Sequence, residues 1–157
     1  MSIWRHLRAI GLCPFVVTVV MPGIVLWGSE PTPAGWAFVT LGAVLIALGA
    51  LLVAWTIGLF ATVGGGTLAP WDPTTRLVIR GPYRHVRNPM IDGVLLILLG
   101  EAAFFGSPAL LIWFAAVLAA NAVYIPLVEE PGLRERFGEE YDAYRAAVPR
   151  WLPRLLK

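Results

Sequence analysis

Two adjacent glutamates, Glu129 and Glu130, follow directly after a long apolar stretch. If that stretch is helical, its C-terminal end carries a partial negative charge that disfavours carboxylates. Two acids at this position therefore require a cationic partner, which is an arginine between Gly64 and Pro89, an arginine of the tail, or a positively charged ligand. One interpretation is an ion pair with Arg84 or Arg87, and the other is a site that binds a cationic ligand. The sequence alone leaves both open.

The segment between Gly64 and Pro89 holds much of the remaining polar content, including four arginines: Arg76, Arg80, Arg84 and Arg87. Basic residues beside a membrane commonly contact anionic lipid head groups, which is one interpretation of these four. Gly81-Pro82 predicts a turn. Asn88-Pro89 predicts a helix start, with Asn as N-cap and Pro at the first helical position.

The elements that must position these residues are apolar. The chain has 157 residues, of which 58% are hydrophobic and 14% charged, against roughly 25% charged in soluble domains. The composition therefore favours a membrane protein over an ordinary soluble domain. Because about 20 helical residues cross a bilayer, we predict an all-α integral membrane protein, one domain over residues 1–157. Its four spans are placed at approximately 10–27, 35–63, 90–105 and 109–128.

The basic residues predict the topology, because Lys and Arg collect on the cytoplasmic side of short connections. The connections near residues 28–34 and 106–108 carry none, and all twelve positive charges fall on the opposite side. Both ends of the sequence are therefore expected in the cytoplasm. Asp92 and Glu101, inside the third stretch, either reach their nearest interface or have a role inside the protein.

The cytoplasmic tail, residues 129–157, predicts an amphipathic helix. Its apolar residues recur every three or four positions and form one face; they are Leu133, Phe137, Tyr141, Tyr144 and Val148. Pro131-Gly132 is expected to end the fourth span just before it. Such a helix lies along the membrane surface or caps the bundle.

Other classes of site find little support. The single cysteine, Cys13, excludes an internal disulfide and a multi-cysteine metal cluster. A net charge of +2 is too small and dispersed for nucleic acid. The expected partners are the lipid bilayer and a lipophilic small molecule, without nucleic acid or metal.

An ordered set of motifs spans roughly residues 70–154: Gly81-Pro-Tyr-Arg-His-Val-Arg87-Asn-Pro-Met, then Gly93, Glu129-Glu130, Phe137-Gly138-Glu-Glu-Tyr141, and Val148-Pro149-Arg150. The set resembles the isoprenylcysteine carboxyl methyltransferase family, which is related to the membrane phospholipid methyltransferases. The resemblance implies an integral membrane enzyme, of a small prokaryotic type in an inner or plasma membrane. It would bind S-adenosylmethionine under the cytoplasmic tail and methylate an acceptor from the bilayer.

The resemblance also implies positions for the cofactor contacts. These are a first stretch of Thr75, Arg76, Leu77 and Val78, a second contact at Tyr83, a third stretch of Asn88, Pro89, Met90 and Ile91, and an acidic contact at Glu129. From its charge, we expect Glu130 to join Glu129 in binding the cationic sulfonium and ammonium groups of the cofactor. We also infer from their charge that Arg87 or Arg150 pairs with the cofactor's carboxylate.

Three positions depart from the family pattern. Asn88 and Ile91 replace a histidine and a tyrosine, but Asn still forms hydrogen bonds and Pro89 keeps the turn, so cofactor binding is expected to persist. Ile125 stands where eukaryotic members place an arginine that grips the substrate carboxylate, and isoleucine cannot pair with a carboxylate. The acceptor atom, oxygen, sulfur or nitrogen, stays open. The alternative is a non-catalytic membrane protein of the same fold.

Overall fold

The computed structural model describes residues 11–29, 35–64 and 75–152, and within these ranges it contains helices, turns and irregular connections but no β-strand. The basic residues at the two ends of the sequence, Arg5, Arg8, Arg154 and Lys157, lie outside the described residues.

The helices are labelled here in chain order. Helix α1 has a π-wound part, Gly11–Val20, and an α-helical end, Met21–Trp27; α2 covers Trp36–Leu59 and closes in a π turn, Phe60–Gly64; α3 covers Pro89–Phe105. Helix α4 begins as Pro108–Tyr124 and continues through a π-wound segment, Ile125–Glu129, into an extension, Glu130–Phe137; α5 covers Glu139–Ala147.

Apolar helices occupy all four predicted positions. Two of them are long and apolar enough to cross a membrane by length and composition, Trp36–Gly64 with 29 residues and Pro108–Phe137 with 30. Helix α3 begins at Pro89, as the Asn88-Pro89 motif predicts, although the Asn88 side chain makes no capping hydrogen bond. The predicted all-helical character is confirmed for the described residues.

The expectation that Pro131-Gly132 ends the fourth helix is wrong. Pro131 lies in the first turn of the α4 extension, directly after the π-wound segment, where the regular α-helical hydrogen bonding is already interrupted. A proline without an N–H costs little at such a place. The helix ends instead at Gly138, whose φ of 56° favours glycine. The predicted tail helix is consequently divided between the α4 extension and α5.

Glycines bring α2 and α3 into close contact. A Cβ atom added to Gly49 would lie 2.5 Å from the backbone oxygen of Gly93, and one added to Gly42 would lie 2.6 Å from that of Gly100. Any larger side chain would push the helices apart. Small residues permit this approach inside membranes, where van der Waals packing is the main force between helices.

Helix α1 is tied to α4 by a side chain. The indole Nε1 of Trp113 donates to the carbonyl of Val17 at 3.1 Å. In a π-helix, the carbonyl of Val17 would accept a hydrogen bond from the N–H group five residues later, but that residue is Pro22, which has no N–H. The indole of the neighbouring helix supplies the missing donor.

The predicted apolar face of the tail forms one cluster. Tyr141, Tyr144 and Val148 are buried together, and Leu133 and Phe137 pack against them from the α4 extension. Leu77 of the connector between α2 and α3 also packs here. The tail is thereby fixed onto the connector at one end of the helices.

Candidate functional site

Glu130 is the centre of a buried ion-pair network. Its carboxylate, 5% exposed, accepts hydrogen bonds from Nη1 of Arg87 at 2.8 Å and from Nε and Nη2 of Arg150 at 2.7 and 3.0 Å. The Nε of Arg145 lies 4.0 Å away. The hydrogen bonds to Glu130 raise the pKa of Arg150 above its ordinary value. Two of the alternatives drawn from the sequence thus apply to Glu130, a connector arginine and a tail arginine.

Glu129, the preceding residue, is held differently. Its side chain is half-buried and takes part in no hydrogen bond or ion pair with the described residues. It stands at the last position of the π-wound segment of α4. Burial raises the pKa of Glu129, and the neighbouring charge of Glu130 raises it further, while no cation among the described residues pairs with it. Buried charges are normally paired, so such a carboxylate is a candidate ligand-binding group.

The first predicted contact stretch, Thr75 to Val78, is anchored to the end of α2. The backbone N–H groups of Thr75 and Arg76 donate to the carbonyl of Gly64 at 3.0 and 3.3 Å. Val78 is buried, whereas the side chains of Thr75 and Arg76 are exposed. The Thr75 hydroxyl also donates to the carbonyl of Gly64, over a long 3.5 Å. The stretch is therefore fixed by its backbone, its apolar side chains and Thr75, while the exposed side chain of Arg76 remains available.

Tyr83, in the connector between α2 and α3, is hydrogen-bonded to the tail. The hydroxyl of Tyr144 donates to the backbone carbonyl of Tyr83 at 2.7 Å, and the ring of Tyr83 meets the edge of Phe60. Burial is the main cause that raises the pKa of Tyr83. The neighbouring Tyr144 raises this pKa further, and the carboxylates of Glu129 and Asp92 add smaller effects. The Tyr83 hydroxyl therefore stays protonated, within electrostatic range of both acids, and can act as a hydrogen-bond donor.

The connector is also tied to the end of the tail next to the third predicted stretch. The backbone N–H of Arg87 donates to the carbonyl of Pro149 at 2.9 Å. Asn88 and Pro89 are buried, and Met90 and Ile91 are half-buried in the first turn of α3. The tail thus holds the Gly81–Arg84 turn through Tyr83 and the residues just before α3 through Arg87.

An apolar groove of about 850 Å³ opens beside this region. Its walls come from α2, the Gly81–Arg84 turn, α3, α4 and the end of the tail. Of the predicted contact residues only Pro89 lines it, so the groove is largely separate from the predicted cofactor contacts. Asp92 is the acidic residue in its wall.

The structure brings several predicted residues together and separates others. Leu77, Tyr83, Arg87 and Glu130 meet the tail directly, while Glu129 is linked to Tyr83 through its charge. Sequence reasoning missed the groove and left Asp92 open between a position at the nearest interface and a role inside the protein. An acid inside an apolar helix was the available signal, but the groove that it lines is built by residues far apart in the chain.

Comparison with known proteins supports the motif-based resemblance. The family model for phospholipid methyltransferases matches residues 37–140. Methanethiol S-methyltransferase 2 of Bradyrhizobium diazoefficiens is 37% identical over 76 residues, which are 46% of this chain and 27% of that protein. The match thus spans about a quarter of that relative's length. No solved structure matches the chain.

The family match includes α2, α3, the connector, Glu129 and Glu130. It also agrees with the resemblance to isoprenylcysteine carboxyl methyltransferases, which are related to the same group of membrane enzymes. Because the matching region covers more than half of the sequence, this chain belongs to the phospholipid methyltransferase family.

Proposed function

We propose that the chain transfers a methyl group from S-adenosylmethionine to a lipophilic acceptor reached from the bilayer, with Glu129 as the acidic contact to the cofactor. The carrying observation is the contrast between two neighbouring glutamates. Glu130 has its charge compensated by Arg87 and Arg150, whereas Glu129 is half-buried without a partner among the described residues.

The donor set at this place fits the chemistry of the cofactor. A sulfonium with an ammonium group is a cation, and an uncompensated carboxylate is the group that attracts it. The protonated hydroxyl of Tyr83 lies within electrostatic range of Glu129 and supplies a hydrogen-bond donor. The Glu130 network has a supporting role in this proposal, because Arg87 and Arg150 are already bound to it.

The remaining residues would shape the site. The Thr75–Val78 stretch and the Asn88–Ile91 turn of α3 would lie along the cofactor, and the tail, fixed through Tyr144 and Arg87, would keep them in place. When bound, the cofactor supplies an activated methyl group. The protein's part is then mainly to position the reactants and to exclude water.

We further propose that α1 to α4 all span the membrane, with the connector and the tail on the cytoplasmic side. The length of α2 and of α4 supports two spans directly. Helix α3 has 17 residues and packs closely on α2 along the glycines, which is consistent with a position inside the same apolar layer. The one-sided distribution of Lys and Arg supports the orientation.

The possible reactions differ in the atom that accepts the methyl group. The relative from Bradyrhizobium diazoefficiens is named for a thiol acceptor, and the family model is named for phospholipids. A thiolate or a carboxylate attacks without a general base, whereas an ammonium group must first lose a proton. Ile125, which is fully buried, provides no charge to pair with a carboxylate. This supports a sulfur or nitrogen acceptor over an oxygen acceptor.

The test is methyl transfer by the purified chain. Protein in detergent is incubated with S-adenosylmethionine carrying a labelled methyl group and with a lipid extract, and label in the organic phase is counted. We expect transfer by the wild type and by Glu135→Gln, an exposed acid on the same helix. Glu129→Gln should lose transfer. Folded wild-type protein that neither transfers methyl nor binds the cofactor would favour the non-catalytic alternative.

A further inference from the structure

Two exposed tryptophans lie at different levels of helix α2. Trp36 is 83% exposed and Trp55 is 57% exposed. The rise from one residue to the other is about 28 Å along a helix, close to the roughly 30 Å of a hydrocarbon core. Tryptophan is enriched at both interfaces of a membrane. The pair therefore matches the two edges of an apolar layer crossed by α2, with Trp55 at the edge nearer to the connector.

The connector folds back onto this edge. A Cβ atom added to Gly81 would lie 3.1 Å from the ring atom Cζ2 of Trp55 and 3.1 Å from Cδ1 of Leu59. The φ of Gly81 is 56°, a left-handed conformation that favours glycine. Because glycine has no side chain, the backbone between Arg80 and Arg84 can lie directly against Trp55.

Arg80 and Arg84 flank this contact and have free side chains. Both are exposed, and neither side chain forms a hydrogen bond or ion pair within the part of the chain that the structure describes. Arg87, by contrast, is held by Glu130. Residues 75–88 of the connector contain no acid. Two unpaired guanidinium groups therefore lie beside an exposed tryptophan.

We propose that Arg80 and Arg84, together with Trp55 and Ile79, form a docking surface for the head group of an anionic phospholipid. A guanidinium group binds a phosphate through paired hydrogen bonds. The exposed side chains of Trp55 and Ile79 offer apolar surface to the upper part of the acyl chains. An anionic leaflet attracts each arginine that lies close to its surface.

The surroundings favour a lipid over a soluble anion. A soluble phosphate would gain only the two guanidinium groups, which are exposed and therefore screened by salt. A lipid also places its chains against Trp55 and Ile79, at the level where its own phosphate lies. The docked lipid is not a reactant. Its binding requires the membrane crossing of α2 proposed above, but neither the cofactor nor methyl transfer.

The docked lipid would hold the Gly81–Arg84 turn from outside. The same turn has Tyr83 buried on its inner side and Arg84 exposed on its outer side. The hydroxyl of Tyr144 already holds the turn from the tail. A head group bound by Arg80 and Arg84 thus fixes the turn against α2 on the side that the tail does not reach through this hydrogen bond.

The test is native mass spectrometry of the full chain in detergent, which resolves individual bound lipids by mass. The probes are dioleoyl phosphatidylglycerol, which is anionic, and dioleoyl phosphatidylcholine, which has the same chains and no net charge. The variants are Arg80→Gln/Arg84→Gln, Arg80→Lys/Arg84→Lys and the control Arg134→Gln/Arg136→Gln. The control removes two exposed arginines from the α4 extension and changes the net charge equally.

We expect wild-type protein to bind phosphatidylglycerol more tightly than phosphatidylcholine. Arg80→Gln/Arg84→Gln should raise the Kd for phosphatidylglycerol at least about tenfold, because two attractions to the head group are lost. The lysine variant should retain most of the affinity, and the control should match the wild type. Equal binding of the two lipids by the wild type, an equal loss in the control, or displacement of phosphatidylglycerol by an equal concentration of inorganic phosphate would overturn the inference.

Discussion

At the scale of single residues, the two adjacent acids, Glu129 and Glu130, have different surroundings. Glu130 joins α4 to the connector through Arg87 and to the tail through Arg150. Glu129 has no cationic partner among the described residues, and its charge acts on Tyr83. Neighbouring residues on a helix point in directions about 100° apart, so one turn of α4 can serve packing and ligand binding together.

Glu130→Gln is therefore expected to destabilise the protein. Both arginines would lose their carboxylate, and Arg87 is only 11% exposed. Breaking a buried pair on one side costs about 3 kcal/mol or more, and the partial exposure of Arg150 reduces its share. Thermal unfolding in detergent measures the change, with Glu135→Gln as the control. A variant as stable as the wild type would show that the network contributes nothing to folding.

The sequence identified the paired acids and named Arg87 as a candidate partner, but it did not assign Arg87 to Glu130 or single out Arg150 as a second partner. An acid at the C-terminal end of a helix indicates that a cation must lie nearby, because the helix dipole disfavours a carboxylate there. Which arginine meets that need depends on where the tail returns after Gly138, and the return places Arg150 next to Glu130 across 20 residues of sequence. Local pattern carries no information about such a contact.

At the scale of the elements, the packing of α2 on α3 depends on glycines, which have no side chain to keep the two backbones apart. A Cβ atom at Gly49 would lie 2.5 Å from a backbone oxygen, which no rotamer change can relieve. We expect Gly49→Ala to destabilise the protein by about 2 kcal/mol or more, because overpacking shifts backbones.

The same helix provides a matched control for this substitution. Gly58 has open space where its Cβ would lie. Gly58→Ala should be neutral or stabilising by about 0.5 kcal/mol, because alanine favours the helix. Thermal unfolding of both variants measures the difference, and equal effects would contradict the close contact between α2 and α3.

Element positions were largely predictable, because long apolar stretches indicate helices whatever their neighbours are. The end of α4 was not predictable. Pro131-Gly132 is a typical stop signal, yet the π-wound segment before it had already changed the hydrogen bonding. The groove was also beyond sequence reasoning, since its walls come from four separate parts of the chain: α2, the segment from Gly81 to Leu99, α4 and the end of the tail.

At the scale of the whole molecule, the proposed four-span arrangement would place the connector and the tail together on the cytoplasmic side. Ser29→Cys and Glu139→Cys, each in a Cys13→Ala background, test this arrangement in intact cells. A membrane-impermeant maleimide should label residue 29 and leave residue 139 unlabelled until the membrane is opened. Labelling of both residues in intact cells, or only of residue 139, would contradict the topology.

The central claim is that Glu129 binds the methyl donor. Calorimetric titration of detergent-purified protein with S-adenosylhomocysteine tests it most directly, with Glu129→Gln and the exposed control Glu135→Gln alongside. We predict the same Kd for wild type and Glu135→Gln, and a Kd at least about tenfold higher for a folded Glu129→Gln protein, a loss of about 1.4 kcal/mol. Binding unaffected by Glu129→Gln, or no binding by folded wild-type protein, would contradict the claim.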